Sequence, residues 1–425
     1  MKQVFLSSRL PALALAVGYL AAAGPALAQT TAAPPTGAAG EGPANKRTVT
    51  YLDLSAGAGF SSNPLLRSGS SVFGRVSLSG FQAWNDERGS TSLTGFVEDT
   101  TYFRGGYGSK AIFRVGAQTR RAVSETVSVF GNLGFSGDVA GQLTNRFTSP
   151  PVVTPPVISP LPVTSPDIIN LSGRQYRLDG QVGASIRTST QSSVSLSAGA
   201  SHAFYTGAAK VDDYTTYSGS LGYEHQLSER TWFGGALSLQ RQDFRGGEYS
   251  NVVNPTLTLR TQLAENISVN GSVGLLAIYA HRAGESDHSY SPSFTASVCK
   301  TGEKSQFCAN LSRTASAPLA IGTAQNARST AITTDFNLSY NRKIGERETI
   351  RALVTATRSS TASVLNNGNF RTTYLTGLVS YDRRVGNRLY AGISGGMRKV
   401  FQTGPDPKVD FNASIYLRYR LGDLL

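Results

Sequence analysis

The amino-acid sequence predicts an all-β fold, a transmembrane antiparallel up-and-down β-barrel of about 18 strands that follows a cleaved signal peptide. The prediction rests on the layout of the N-terminus, on the alternation of apolar and polar residues along the rest of the chain, and on the alternation of short and longer connections.

The N-terminus has the layout of a secretory signal. Lys2 and Arg9 precede an apolar run at residues 10–20, and small residues follow as far as Ala26-Leu27-Ala28. The apolar run is too short to span a membrane. We therefore expect a signal peptide at residues 1–28, and we expect the exported chain to reach the outer membrane of a Gram-negative cell.

Dyad alternation is clear in the stretch at residues 231–243. Leu237 and Leu239 share one parity, and Ser238 and Gln240 share the other. This is the pattern of a sheet with one apolar and one wet face. The composition agrees, because 45 glycines, 16% charged residues and 40% hydrophobic residues suit a barrel better than a soluble domain.

The net charge of +13 is a bias of one sign that attracts anionic polymers, small anions or the phosphates of lipopolysaccharide. The basic residues are scattered along the strands instead of clustered, and the compartment is wrong for nucleic acid. We expect no nucleic-acid partner, and we expect outer-membrane lipids and lipopolysaccharide around the wall.

Residues 29–46 form a tract rich in Ala, Pro, Gly and Thr, which predicts a disordered periplasmic linker. The barrel then occupies residues 47–425. The predicted strands are 48–60, 71–84, 90–103, 110–122, 126–138, 174–187, 192–205, 214–227, 231–245, 249–263, 267–280, 288–300, 306–315, 329–343, 349–362, 370–384, 388–401 and 408–421.

The connections provide an independent check, since outer-membrane barrels have short periplasmic turns and longer extracellular loops. A short connection follows each even-numbered predicted strand except the last, and the other connections are mostly longer. An even strand number also places both ends of the barrel on the periplasmic side.

The connection at residues 139–173 is long and rich in proline, which cannot join a ladder and favours an extended polyproline II conformation. It follows the fifth strand and is therefore predicted to be extracellular. It either folds into the mouth as a constriction, projects as an adhesive or recognition segment, or is a tolerated insertion without a task.

Charged residues that alternate with the apolar, lipid-facing residues of the predicted strands are candidates for lining a water-filled lumen. An excess of arginine there favours anionic or hydroxyl-rich solutes, although the same charges could instead pair across the lumen and brace neighbouring strands. The pore-lining candidates are Arg75, Arg114, Arg177, Asp179, Arg187, Arg260, Arg351 and Arg418, and the same parity holds Asp53, Glu98, Glu224, Asp335, Asp410 and Arg420.

Cys299 and Cys308 are the only cysteines, and they flank a turn at residues 301–305. In an antiparallel hairpin centred there the two cysteines lie opposite each other on one face. An oxidising periplasm favours a disulfide between them.

The sequence predicts no enzyme. The histidines are His202, His225, His281 and His288, and none of them belongs to a recognisable nucleophile motif. No phosphate-binding loop or metal-ligand spacing is present in the sequence, so we expect neither a cofactor nor a metal.

Aromatic residues near predicted strand ends suit the interfacial girdles of a barrel. This set is Phe60, Trp84, Tyr102, Phe103, Tyr205, Trp232, Phe244, Tyr279, Phe370 and Phe401. An alternative for other tyrosines is a lumen position where they stack on sugar rings, and the candidates are Tyr290, Tyr374, Tyr390 and Tyr416.

The signal sequence, the Ser62-Asn63-Pro64 loop, the many strands rich in Gly and Ser, and the final segment at residues 415–422 together resemble the β-barrel porins encoded beside exopolysaccharide-export genes. The resemblance implies an outer-membrane conduit for polysaccharide that works with a periplasmic polysaccharide-export protein. Two other functions stay open: a general or anion-selective diffusion porin, and a structural or adhesive surface barrel.

Overall fold

The computed structural model describes residues 47–64, 69–104, 108–139, 174–206, 213–244, 246–282, 284–316, 330–361, 371–402 and 408–422. The predicted signal peptide and linker at residues 1–46 lie outside these residues, as does almost all of the proline-rich connection. Within the described ranges, no helix is long and apolar enough to cross a membrane.

The described residues form 18 strands, which is the number that the sequence predicts. Strand bounds agree with the prediction to within three residues, and the largest difference is at the start of β12. The strands are β1 Arg47–Ser61, β2 Ser71–Asp86, β3 Gly89–Tyr102, β4 Gly108–Ala122, β5 Val127–Val139, β6 Arg174–Arg187, β7 Ser192–Thr206, β8 Tyr214–Ser228, β9 Thr231–Phe244, β10 Tyr249–Ala264, β11 Ile267–Arg282, β12 Glu285–Thr301, β13 Ser305–Ser316, β14 Ala331–Lys343, β15 Glu348–Thr361, β16 Arg371–Arg384, β17 Leu389–Gln402 and β18 Asp410–Gly422.

Every strand pairs with its neighbours in sequence, and β1 pairs antiparallel with β18, so the sheet closes on itself. The closing register runs from Tyr51 opposite Gly422 to Ser61 opposite Asn412. Closure removes both free sheet edges, which is what a spanning sheet requires in lipid.

The two faces of the wall differ as the dyad pattern requires. In β1, Leu52 and Leu54 are 38% and 49% exposed on the outside, whereas Tyr51 and Asp53 are 3% and 4% exposed on the inside. The large apolar side chains that are exposed on the strands all share the outward parity. An apolar exterior on a closed antiparallel barrel is the architecture of an integral protein of the Gram-negative outer membrane.

The connections alternate as predicted. Turns of two to four residues follow β2, β4, β6, β8, β10, β12, β14 and β16, and we call this rim the short-turn end. The opposite rim, the long-loop end, has mostly longer connections, although only two residues join β11 to β12. By the rule for outer-membrane barrels, the short-turn end is the periplasmic one.

The loop after β1 fastens the closing seam at the long-loop end. The backbone N–H of Ser62 donates to the carbonyl of Phe411 at 2.8 Å, and the backbone N–H of Phe411 donates to Ser62 Oγ at 2.8 Å. The side-chain amide nitrogen Nδ2 of Asn63 donates to the backbone carbonyl of Lys408 at 2.7 Å. These bonds continue the β1–β18 ladder beyond its last strand pair.

Candidate functional site

The inward face of the barrel is the candidate site, because it is the polar surface that a solute would meet. Residues opposite each other in an antiparallel ladder lie on the same face. Asp53 and Arg420 face inward. Starting from them, the register of each strand pair identifies which residues of the next strand also face inward. All eight pore-lining candidates share it: Arg75, Arg114, Arg177, Asp179, Arg187, Arg260, Arg351 and Arg418.

Several of these charges are paired along the wall. Arg75 Nε lies 3.4 Å from Glu98, and Arg177 Nε lies 4.0 Å from Asp179. Arg260 Nη2 lies 3.3 Å from Glu224. The alternative that charges brace neighbouring strands therefore describes part of this set.

Arg351 is also paired, at 3.3 Å from Asp382 on the neighbouring strand. The hydroxyl of Tyr416 donates to the same carboxylate at 2.5 Å. One acid thus serves a guanidinium and a phenol, and it is buried between them.

Arg187 and Arg418 differ from Arg75, Arg177, Arg260 and Arg351. Neither has a carboxylate within ion-pair distance among the described residues. Arg187 is exposed at the short-turn end of β6, and Arg418 is half-buried with its guanidinium 4.6 Å from the ring centre of Tyr390.

The register adds inward charges that the sequence interpretation missed. They are Arg120, Glu285, Asp287, Lys343, Asp382, Arg384 and Arg398. The same parity rule applied to β4, β12, β14, β16 and β17 would have found them.

The inward charges are distributed unevenly along the barrel axis. Eight cations lie within four positions of the short-turn end of their strands, against three acids when Asp53, the partner of Arg420, is included. Among the described side chains farther up the wall, four arginines face six acids. We call the first group the basic belt, and its members are Arg120, Arg187, Arg260, Lys343, Arg351, Arg384, Arg418 and Arg420 with the acids Asp53, Glu224 and Asp382.

The wall changes shape between β12 and β13. Their ladder runs from Thr301 opposite Gln306 to Phe294 opposite Arg313 and ends there. The remaining part of β12 toward the long-loop end pairs with β11 alone. Above this point the two strands separate.

Beyond the separation, β13 and β14 lie over the inner faces of β9 to β12. Ala315 and Ile332 pack against an apolar cluster of Val252, Leu276 and Ile278 on the inside of β10 and β11. Hydrogen bonds hold the overlap: Thr330 Oγ1 donates to Ser250 Oγ at 2.7 Å, and Arg313 Nη2 donates to Ser291 Oγ at 2.9 Å. We call this feature the β13–β14 overlap, and it narrows the barrel at the long-loop end.

Pro292 explains where the ladder stops. The backbone N–H of Thr301 donates to the carbonyl of Asn266 at 2.8 Å, so odd-numbered residues of β12 direct their backbone groups toward β11. Even-numbered residues therefore point toward β13. Pro292 is the next even position after Phe294, and it has no N–H to donate.

The cysteines form a disulfide in the structure. Cys299 lies opposite Cys308 on the inward face, with 4.2 Å between their Cα atoms. The bond closes the β12–β13 hairpin near its turn, well below the point where these strands separate.

The four histidines lie on the outward parity of their strands. His202 Nδ1, for example, hydrogen-bonds with Thr215 Oγ1 at 2.9 Å on that face. Among the described residues, no group of three or more His, Cys, Asp and Glu could hold a metal ion.

The aromatic assignments were partly wrong. Tyr290 was a lumen candidate, but it lies on the outside and is 60% exposed. Conversely, the girdle candidates Trp232 and Phe244 face inward, as do Tyr102 and Tyr205, because strand parity and not nearness to a strand end decides the face.

The other lumen candidates, Tyr374, Tyr390 and Tyr416, have the inward parity. Phe60, Trp84, Tyr279 and Phe401 are exposed on the outside as predicted. Phe370 lies outside the described residues.

The chain matches no family model, and it matches no curated protein. Among solved structures it is similar to OccK2 (OpdF) of Pseudomonas aeruginosa, with 11% identity over 89% of this chain and 98% of that chain and a TM-score of 0.43. It is similar to OpdK of Pseudomonas aeruginosa with vanillate, with 11% identity over 88% and 98% of the two chains and a TM-score of 0.42.

A third similar structure is the FrpB iron transporter from Neisseria meningitidis, with 9% identity over 88% of this chain and 81% of that chain and a TM-score of 0.44. The closed wall, apolar outside and polar inside, is that of an integral outer-membrane β-barrel.

Proposed function

We propose that this chain is a non-enzymatic diffusion channel that prefers small anionic solutes. The observation that carries the proposal is the basic belt, in which eight cations face three acids at one end of the inward wall. Rings of basic side chains set anion preference in pores.

The physical basis of the anion preference is the electric field of the belt cations. The belt cations that lack an acid partner among the described residues include Arg120, Arg187, Arg384 and Arg418, which lie on β4, β6, β16 and β18. A cleft with low-dielectric walls focuses such a field and raises the local concentration of counter-ions. At physiological salt the field extends about 8 Å from each charge, and at low salt about 30 Å.

The opposite rim, the long-loop end, limits the size of the solute. A barrel of 18 strands is wide enough for an aqueous channel. The β13–β14 overlap covers the inner faces of four neighbouring strands there, and Gln242 and Leu276 beneath it are 0% and 1% exposed. A narrowed mouth favours small solutes over a polymer chain.

The test compares two solutes of similar size, gluconate and uncharged sorbitol, entering proteoliposomes that contain the purified barrel. At low salt we expect gluconate to enter faster than sorbitol, and we expect added salt to reduce the difference because salt screens the field. Equal entry rates at low salt would contradict the proposal.

A variant with Arg120, Arg187 and Arg384 each replaced by Gln separates field from size. We expect it to slow gluconate and to leave sorbitol unchanged, since the substitutions remove charge but little volume. A parallel slowing of both solutes would indicate altered pore size instead.

Export of a polysaccharide, which the sequence resemblance implies, makes a different prediction in cells. A strain without the gene would then lose its surface polysaccharide while still synthesising the repeat unit. Normal surface polysaccharide together with poor uptake of small anions is the result that our proposal predicts. A strain whose defect is confined to adhesion would favour the surface-barrel hypothesis.

A further inference from the structure

Two arginines on β18 occupy similar positions but have different partners. Arg420 lies opposite Asp53 on β1, and its Nε and Nη2 each donate to that carboxylate at 2.7 Å. Arg418, two residues away on the same face, lies opposite Ser55. A serine thus stands where a second aspartate would complete the same pairing.

The Nε atom of Arg418 is buried and has no hydrogen-bond partner in the structure. Its guanidinium stacks at 4.6 Å on the ring of Tyr390, which fixes the plane of the group but accepts no bond in that plane. Ser55 does not take the place of the missing acid, because its hydroxyl carries no charge and lies 2.6 Å from that of Ser77. A half-buried guanidinium without an acceptor is costly unless something neutralises it.

The charges around Arg418 add to its need for a neutralising partner. Arg384 lies opposite Tyr390 on the next strand, so Tyr390 has an arginine on each side. The two acids of this region are already engaged, Asp53 by Arg420 and Asp382 by Arg351 and Tyr416. The positive charge of Arg384 and Arg418 is left for a ligand to balance.

We propose that Arg418, positioned by Tyr390 and supported by Arg384, binds the carboxylate group of a passing solute. The solute's carboxylate pairs with Arg418 in the way that the carboxylate of Asp53 pairs with Arg420. A guanidinium edge and a carboxylate match as two parallel hydrogen bonds, as the Arg420 pair already demonstrates in the same wall. This inference rests on the proposed function, since it names the group that the anion channel would bind.

The experiment measures how gluconate reduces the chloride current through the purified barrel in a planar bilayer. Saturable block is expected for the wild type. In Arg418→Gln the half-blocking concentration should rise about tenfold or more, because a bidentate bond to a charged group is lost. Unaltered block in Arg418→Gln overturns the proposal.

A second variant fills the site from within. Ser55→Asp places a carboxylate opposite Arg418, in the geometry of the Asp53–Arg420 pair, and should abolish saturable block. The matched control is Ser195→Asp, which adds the same charge to the inward face of β7, where its cross-strand neighbours are Ser185 and Gly222. Equal loss of block in both variants would mean that general charge and not the site is responsible, and would overturn the proposal.

Two further measurements distinguish failure of this site from failure of the proposed function. Inorganic phosphate that blocks more strongly than gluconate would overturn the assignment of a carboxylate. A wild-type barrel that carries no anion preference would contradict the proposed function itself. Anion preference with unchanged gluconate block in the variants would contradict only this site.

Discussion

Replacement of Asp410 by asparagine should destabilise the barrel at its closing seam. Asp410 is fully buried and accepts hydrogen bonds from Ser61 Oγ at 2.6 Å, from the backbone N–H of Asn63 at 2.9 Å and from Arg398 Nε at 3.0 Å. Asparagine keeps the volume but removes the charge. Arg398, which is 4% exposed, would lose the carboxylate directly opposite it.

The magnitude follows from the burial of this pair. Breaking a buried ion pair by removing one partner costs about 3–5 kcal/mol, because the remaining charge is uncompensated. The matched control is Asp179→Asn, whose carboxylate is 41% exposed and lies 4.0 Å from Arg177. Exposed pairs contribute only about 0–1 kcal/mol, so this control should change little.

The assay is the free energy of unfolding of the inserted barrel in a denaturant titration, supported by the temperature at which the folded band on a gel converts to the unfolded one. Adding Arg398→Met to Asp410→Asn should recover part of the loss, since no buried charge then remains unpaired. Equal stabilities of Asp410→Asn and Asp179→Asn would refute the reasoning.

Three further predictions concern the hairpin, the topology and the overlap. Cys299 and Cys308 should be oxidised in the purified protein, and replacing both by serine should lower the free energy of unfolding by no more than about 2–3 kcal/mol without preventing insertion; free thiols in mass spectrometry of non-reduced protein would contradict the disulfide. An epitope inserted within residues 149–166 should be accessible on intact cells and one within residues 85–89 should not, and the reverse labelling would invert the topology. Ile332→Asp should release the overlap, because it buries a charge against an apolar cluster, and should raise single-channel conductance; unchanged conductance would mean that the overlap does not limit the current.

The positions of the strands, and the residues of each strand that face inward or outward, could be predicted from the sequence because contact with lipid imposes a strict pattern. One face of every spanning strand must be apolar, so the parity of Leu237 and Leu239 in β9 decides which residues of that strand face inward. Short turns then fix the order of up and down strands. Errors occurred where position along the strand was used in place of parity, as for Trp232.

The partners of individual side chains could not be predicted in the same way. Asn63 belongs to the loop that carried the sequence resemblance, and its partner Asp410 is 347 residues away. That contact depends on closure of the whole sheet, which a local pattern does not contain. The unpaired state of Arg418 also depends on register, because a serine and not an aspartate lies opposite it.

The β13–β14 overlap is the feature farthest from the sequence pattern. Pro292 is visible in the sequence, but its consequence depends on which neighbour its missing N–H would have faced. The apolar residues Val252, Leu276 and Ile278 on the inward parity are departures from alternation, and they mark the surface that the overlap covers.

The central claim is that the basic belt makes the barrel an anion-preferring channel. The most direct measurement is the reversal potential of the purified wild-type barrel in a planar bilayer across a potassium chloride gradient. We predict a potential displaced toward the chloride equilibrium potential, with a displacement that shrinks as the salt concentration rises on both sides. A displacement toward the potassium equilibrium potential, or none at low salt, would contradict the claim.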